Sequence, residues 1–259
     1  MSKFLDLLSR IREGVSTPLG FGAARAERLP GMALVGLVSR DHARGISTAA
    51  EVPADAVMIA GVDGPDAVKK LAESLSTKLW GARVTALAEG EAQSYEENGS
   101  DLLVFNLDGT AASALTSEDI ARILCVDPVI DENQLRAVAS LPVDAFLLSM
   151  TGASSTWTLR DLATVGAISR RVDKYILVEV SQPPGKKDLE AMRDIGINGL
   201  VLDVGSTGAD KLKELRAALM EMPRARSNRR ERSRAILPGS VYAAAPAPSR
   251  EDEEEEDDE

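Results

Sequence analysis

NGSDLLVFN, Asn98 to Asn106, decides the fold, because the chain says it more than once. VPADAVMIA (Val52 to Ala60) and LPVDAFLLS (Leu141 to Ser149) repeat it, and INGLVLDVG (Ile197 to Gly205) is a fainter copy. Each copy has a turn residue, then Asp or Asn, then an apolar burst. Asp55, Asp101 and Asp144, with Asn198 as the variant, stand where a helix has ended and a strand begins. A short polar side chain there bonds loop amides and stops the helix.

Outward from the phrase, eight short apolar runs follow one another: 33–39, 56–62, 83–89, 102–108, 122–127, 145–150, 175–181 and 199–205. Near-continuous apolar runs suit strands buried on both faces of a parallel sheet. Helical patterns lie between most of them: GPDAVKKLAESLS, EAQSYEENG, DENQLRAVAS, TLRDLATVGAISRRV, GKKDLEAMRDIG and GADKLKELRAALMEM. The connections after the first and fourth runs are weak. Alternating strand and helix predicts a parallel α/β fold. Eight strands with right-handed crossovers point to a closed (β/α)8 TIM barrel over residues 32–223, with an open doubly wound sheet as the alternative. The phrase marks the even-numbered runs only, so the unit is two strands and two helices. Its Asp and Asn residues then lie at the N-terminal ends of strands, the face that serves stability in a barrel.

Residues 1–31 hold an amphipathic helix, SKFLDLLSRIREG, and a Gly- and Pro-rich connector. The helix is expected to pack on the barrel bottom as a plug or lid. Residues 224–259 read as a disordered tail, basic at RARSNRRERSR (Arg224 to Arg234) and wholly acidic from Glu251 to Glu259. The net charge is -11, and the body without the tail is acidic too, so general attraction to nucleic acid is not expected. One cysteine, Cys125, permits no intrachain disulfide and fits a cytoplasmic setting. No run of 18 apolar residues spans a bilayer, and no signal-peptide h-region is seen.

NGSDLLVFN and DIGINGLVLDVGSTG resemble the phosphate-binding (β/α)8 barrels, the ribulose-phosphate-binding group especially. The resemblance covers roughly residues 32–222 and names no specific enzyme family. It implies a phosphate between the loops after strands seven and eight, at SQPPG (Ser181 to Gly185) and at Gly205, Ser206, Thr207 and Gly208. The second loop is chemically apt, with glycines flanking two hydroxyls ahead of a helix. It also reads as a plain helix cap. The first loop departs from the group's pattern, since Pro183 and Pro184 have no amide to donate.

Active residues of barrels cluster at the C-terminal strand ends. Here those ends carry Ser39, Arg40, Asp41, Asp63, Glu89, Glu91, Asn106, Asp108, Asp127, Ser149, Thr151, Glu179, Gln182 and Asp203. Glu179 and Asp203 interrupt apolar runs, which is costly for a carboxylate without a partner. Glu89, Asp127, Glu179 and Asp203 come from four strands. Turned into one mouth, they would hold Mg²⁺ through oxygen, or supply a general base with a raised pKa. A buried network closed by an Arg or Lys is the competing reading. The catalytic candidates are thus Glu179, Asp203, Asp127 and the lone histidine, His42. One histidine builds no His-rich zinc site, and a solvated loop position is its plainer reading. No lysine near a strand end supports a Schiff base, and no dinucleotide fingerprint or Ser-His-Asp triad is present.

Two functions are consistent with these residues. One is a lyase or isomerase acting on a small anionic, phosphorylated metabolite with carboxylate or Mg-assisted chemistry. The other is a non-catalytic barrel scaffold that binds protein through its N-terminal helix and charged tail. Fold alone does not choose between them.

Overall fold

The computed structural model describes residues 2–13, 29–39, 52–61, 64–74, 79–115, 117, 119–150, 152 and 156–222. The expected tail, 224–259, and most of the connector lie outside these residues. So do Arg40, Asp41, His42, Asp63 and Thr151.

Eight parallel strands close into a barrel in sequence order. They are β1 (Ala33–Ser39), β2 (Ala56–Ala60), β3 (Trp80–Arg83), β4 (Leu102–Phe105), β5 (Ala121–Val126), β6 (Ala145–Ser149), β7 (Tyr175–Glu179) and β8 (Gly199–Asp203). β8 pairs back onto β1, with Ala33 opposite Gly199 and Leu37 opposite Asp203. The open-sheet alternative is thereby excluded.

Helix α1 (Lys3–Glu13) precedes the barrel. Around it run α2 (Pro65–Ser74), α3 (Glu91–Glu97), α4 (Glu132–Ala139), α5 (Leu159–Ser169) and α6 (Lys186–Asp194), then the short α7 (Val204–Thr207) and α8 (Ala209–Glu221). The weak connection after β4 holds a single 3₁₀ turn, Ala112–Leu115. Local chemistry sets the helix starts. Asp131 accepts from the amides of Asn133 and Gln134 ahead of α4, and Thr158 and Asp161 form a reciprocal capping box at α5.

Strand alternation divides each apolar run between two cores. On β6, Ala145 and Leu147 face the barrel interior, while Phe146 and Leu148 pack under the helices. β1, β2, β5 and β6 each begin with an alanine that belongs to the interior cluster. Phe4 and Leu8 of α1 belong to that cluster as well and are wholly buried. The helix therefore plugs the barrel bottom with two large side chains where the strands supply small ones. Burial of each contributes roughly 1.5–3 kcal/mol.

The repeated Asp/Asn phrase turns out to be a stitch between strands. Each of the four residues donates its backbone N–H to the preceding odd strand: Asp55 to Leu34, Asp101 to Trp80, Asp144 to Arg122 and Asn198 to Ile176. Three then return a side-chain acceptor to that strand. Asp55 accepts from the Leu34 amide, Asp144 from Arg122 and Asn198 from Ile176, each at 2.9 Å. Asp144 also grips the Arg122 guanidinium through both carboxylate oxygens, at 3.0 and 3.1 Å. Asp101 turns instead to α1. It accepts from the Ser2 hydroxyl at 2.9 Å and from the Lys3 and Phe4 amides at 2.9 and 2.7 Å. The expected structural role at the N-terminal face holds, but the partner is a neighbouring strand or the plug helix, not the residue's own loop.

One strand is displaced from its expected position. The apolar run 83–89 was expected to be the third strand, yet β3 ends at Arg83. Val84 to Glu89 form the loop above it. The strand passes so close to β4 that a Cβ on Gly81 would collide with the Leu102 carbonyl oxygen. Glycine and arginine in WGAR hide this strand from a hydrophobic reading, although both are needed where they stand.

Candidate active site at the barrel mouth

Because β3 ends at Arg83, this residue lies at the C-terminal, functional end of the barrel. Its Nη1 donates to Glu179 Oε2 at 3.0 Å, across 96 residues of sequence. The pair is mostly enclosed, with side-chain exposures of 28% for Arg83 and 12% for Glu179. Glu179 therefore meets the basic partner that a carboxylate in a buried strand requires.

Cys125 on β5 shares this position. Burial pushes its thiol pKa up; Arg83, by charge and hydrogen bond, pulls it down, and Glu179 adds to the rise. Arg83 and Cys125 both line a cavity of about 470 Å³. Leu147 lines it as well, Asn106, Asp108, Asp127 and Ser149 bring polar groups, and Leu107, Val126 and Pro128 give it apolar wall. The cavity thus spans the ends of β3 to β6, and Arg83 is the one basic residue among the described residues lining it. This combination of apolar wall and a few convergent polar groups is what a small-molecule site requires.

The other candidates are dispersed. Asp127 reaches the cavity, but its Oδ1 accepts from the Val129 amide at 2.8 Å, closing a turn. Asp203 serves as the N-cap of α7, accepting from the Ser206 amide at 2.6 Å. Glu89 is exposed in the loop after β3, not at a strand end. The four carboxylates Glu89, Asp127, Glu179 and Asp203 are not brought together. Among the described residues, no group of three or more His, Cys, Asp or Glu side chains is placed to hold a metal ion. The donor set expected for Mg²⁺ does not fit.

The loop expected for phosphate has mixed chemistry. Gly205 and Ser206 are exposed, and Gly208 joins α7 to α8 at φ 82° and ψ 148°, a conformation open to glycine. Gly208 gives α8 no side-chain cap. Among the described residues, the Thr207 hydroxyl is buried with no hydrogen-bond partner, an arrangement that costs about 1–3 kcal/mol. Against this, Asp203 already holds the Ser206 amide. After β7, Pro184 is buried, and Gly185 begins α6 without a side-chain cap.

Arg83 was absent from the sequence candidates. The available signal was a basic residue flanked by small ones, in WGAR, one strand before the Asp101 phrase. Assigning β3 to those four residues would have placed Arg83 at the mouth.

No protein-family model matches the chain, and no curated protein matches it. Solved structures do. 3-Keto-L-gulonate-6-phosphate decarboxylase from Vibrio cholerae is similar over 74% of this chain and 97% of its own, at 14% identity and a TM-score of 0.58. 3-Hexulose-6-phosphate synthase from Salmonella typhimurium is similar over 74% of this chain and 100% of its own, at 14% identity and a TM-score of 0.53. Orotidine 5'-phosphate decarboxylase from Pyrococcus horikoshii is similar over 72% of this chain and 98% of its own, at 12% identity and a TM-score of 0.51. At such identities the likeness establishes the fold. The expected resemblance to ribulose-phosphate-binding (β/α)8 barrels holds at that level.

Proposed function

We propose that the chain is an enzyme of the lyase or isomerase type, acting on a small anionic, phosphorylated metabolite at the barrel mouth. The observation that carries this reading is the cavity lined by Arg83, itself paired with Glu179, at the end of the barrel where such folds place their chemistry. The phosphate would be received by the Thr207 hydroxyl and the uncapped start of α8, and the rest of the molecule would lie toward β3 to β6. Asp127 and Asp108 line that space and would serve as hydrogen-bond acceptors or as a general base. The barrels named above, each named for a phosphorylated compound, support this reading by analogy of fold only.

One observation favours the non-catalytic alternative: Asp203 occupies the Ser206 amide that an incoming anion would use. The version of that alternative that uses α1 as a docking helix is weakened, because Phe4 and Leu8 are buried in the barrel. The test is thermal denaturation of the full chain with inorganic phosphate, small sugar phosphates and Mg²⁺. A ligand that binds only the folded state raises the Tm, by an amount that grows with its concentration. No shift from any of them at millimolar concentration refutes the enzyme reading.

A further inference from the structure

We infer that the cavity over β3 to β6 is a seat for a carboxylate, so that the ligand carries a second anionic group away from its phosphate, anchored on Arg83. This deepens the reading of the mouth as a ligand site and rests on it. Three observations converge. The guanidinium is held in place at one nitrogen by Glu179, at 3.0 Å, and still lines the cavity. A guanidinium has five N–H donors in a planar fork that matches a carboxylate, so its bonds to Glu179 and to the Cys125 thiol do not exhaust it. It is also the one basic residue among the described residues lining the cavity, whose other polar groups are acceptors, amide, hydroxyl or thiol.

The sign of the local field needs deciding, because Glu179, Asp108 and Asp127 are all acidic. Among the charges that act on the Cys125 thiol, Arg83 comes ahead of Glu179. Asp108 and Asp127 are both exposed, whereas Arg83 is mostly enclosed beside Cys125. A short carboxylate placed beside Cys125 would meet the arginine first. The two aspartates would then favour hydroxyl groups further along the ligand.

Cys125 is the only cysteine of the chain, which makes it an unambiguous reporter. Iodoacetate and iodoacetamide deliver the same alkyl carbon to a thiolate, releasing iodide, and differ in carrying a carboxylate or a neutral amide. Their rate ratio at one pH cancels the thiol's own pKa. On the folded chain, the ratio of iodoacetate to iodoacetamide should exceed that of the urea-unfolded chain by about tenfold, as a charge a few ångströms away predicts after partial cancellation. The excess should shrink with added salt, persist in part in Arg83→Lys and vanish in Arg83→Gln. Should Arg83→Gln fail to fold, the wild-type ratio and its salt dependence still decide. A folded-state ratio equal to or below the unfolded one overturns the inference. So does failure of both reagents to label the folded chain, since the thiol would then not open to the cavity. Phosphate binding with a flat alkylation ratio would sink the carboxylate seat alone, whereas loss of both would sink the mouth as a ligand site.

Discussion

Asp101 makes a prediction about how the barrel is closed from below. Its carboxylate accepts from the Ser2 hydroxyl and from the Lys3 and Phe4 amides, so Asp101→Ala strips α1 of its N-terminal acceptor. Loss of a cap costs about 0.5–2 kcal/mol, and three lost bonds place this one near the top of that range. Phe4 is wholly buried in the interior cluster, and Phe4→Ala is expected to cost about 3–5 kcal/mol. Both substitutions act through one event, the docking of a single short helix. The double variant should therefore fall short of the sum of the singles by at least about 1 kcal/mol. Urea denaturation of the four proteins, followed by far-UV circular dichroism, measures this coupling. Additivity within about 0.5 kcal/mol would refute the claim that cap and plug are one device. Ligand effects at the mouth should be unchanged in Asp101→Ala, because α1 sits at the opposite end.

Further predictions concern the stitches, the pair and the close strand crossing. Asp55 has its pKa raised chiefly by burial, with the Leu34 amide and Arg216 pulling it down. Its folded pKa thus lies above the unfolded one, so its contribution is most favourable below the unfolded pKa and declines as pH rises through the folded pKa. Asp55→Asn keeps an acceptor for Leu34, as Asn198 does for Ile176, and should gain stability relative to wild type between acid and neutral pH in parallel urea melts; an unchanged difference would refute this. Asp55→Ala should be the worse variant at every pH, by about 1–3 kcal/mol for the unpaired amide. Arg83→Leu leaves Glu179 without its partner and should destabilise by up to about 3 kcal/mol, discounted for the partial exposure of both groups, whereas Arg83→Leu with Glu179→Leu should recover most of the loss in thermal melts. Gly81→Ala should prevent a native near-UV spectrum, since its Cβ has no room beside Leu102.

Much of this architecture can be read from the chain, and the failures have physical causes. Strands such as ILCV and AFLL are buried on both faces, so their apolar runs announce them. β3 is different: Gly81 answers a close approach and Arg83 answers a charge on β7, and neither leaves an apolar trace. Its true position was therefore passed over for the run that follows. Glu179 was recognisable as a carboxylate in a costly place. Its partner was not, because the ring of strands brings together residues that are 96 apart in sequence. Asp203 shows the converse. A polar residue ending an apolar run reads as a ligand-bearing group, and in the structure it caps the helix that begins at the next residue. The Asp/Asn phrase was legible as a repeat, but whether a short side chain bonds its own loop or the adjacent strand depends on register, which only closure sets.

Isothermal titration calorimetry of the full chain with small sugar phosphates, some bearing a carboxylate, tests the central claim most directly. The account predicts saturable binding at or below millimolar Kd for at least one of them, weakened tenfold or more in Thr207→Val and, for the carboxylate-bearing compound, in Arg83→Lys. Absence of saturable binding by every compound to the folded chain, or binding indifferent to both substitutions, would contradict it.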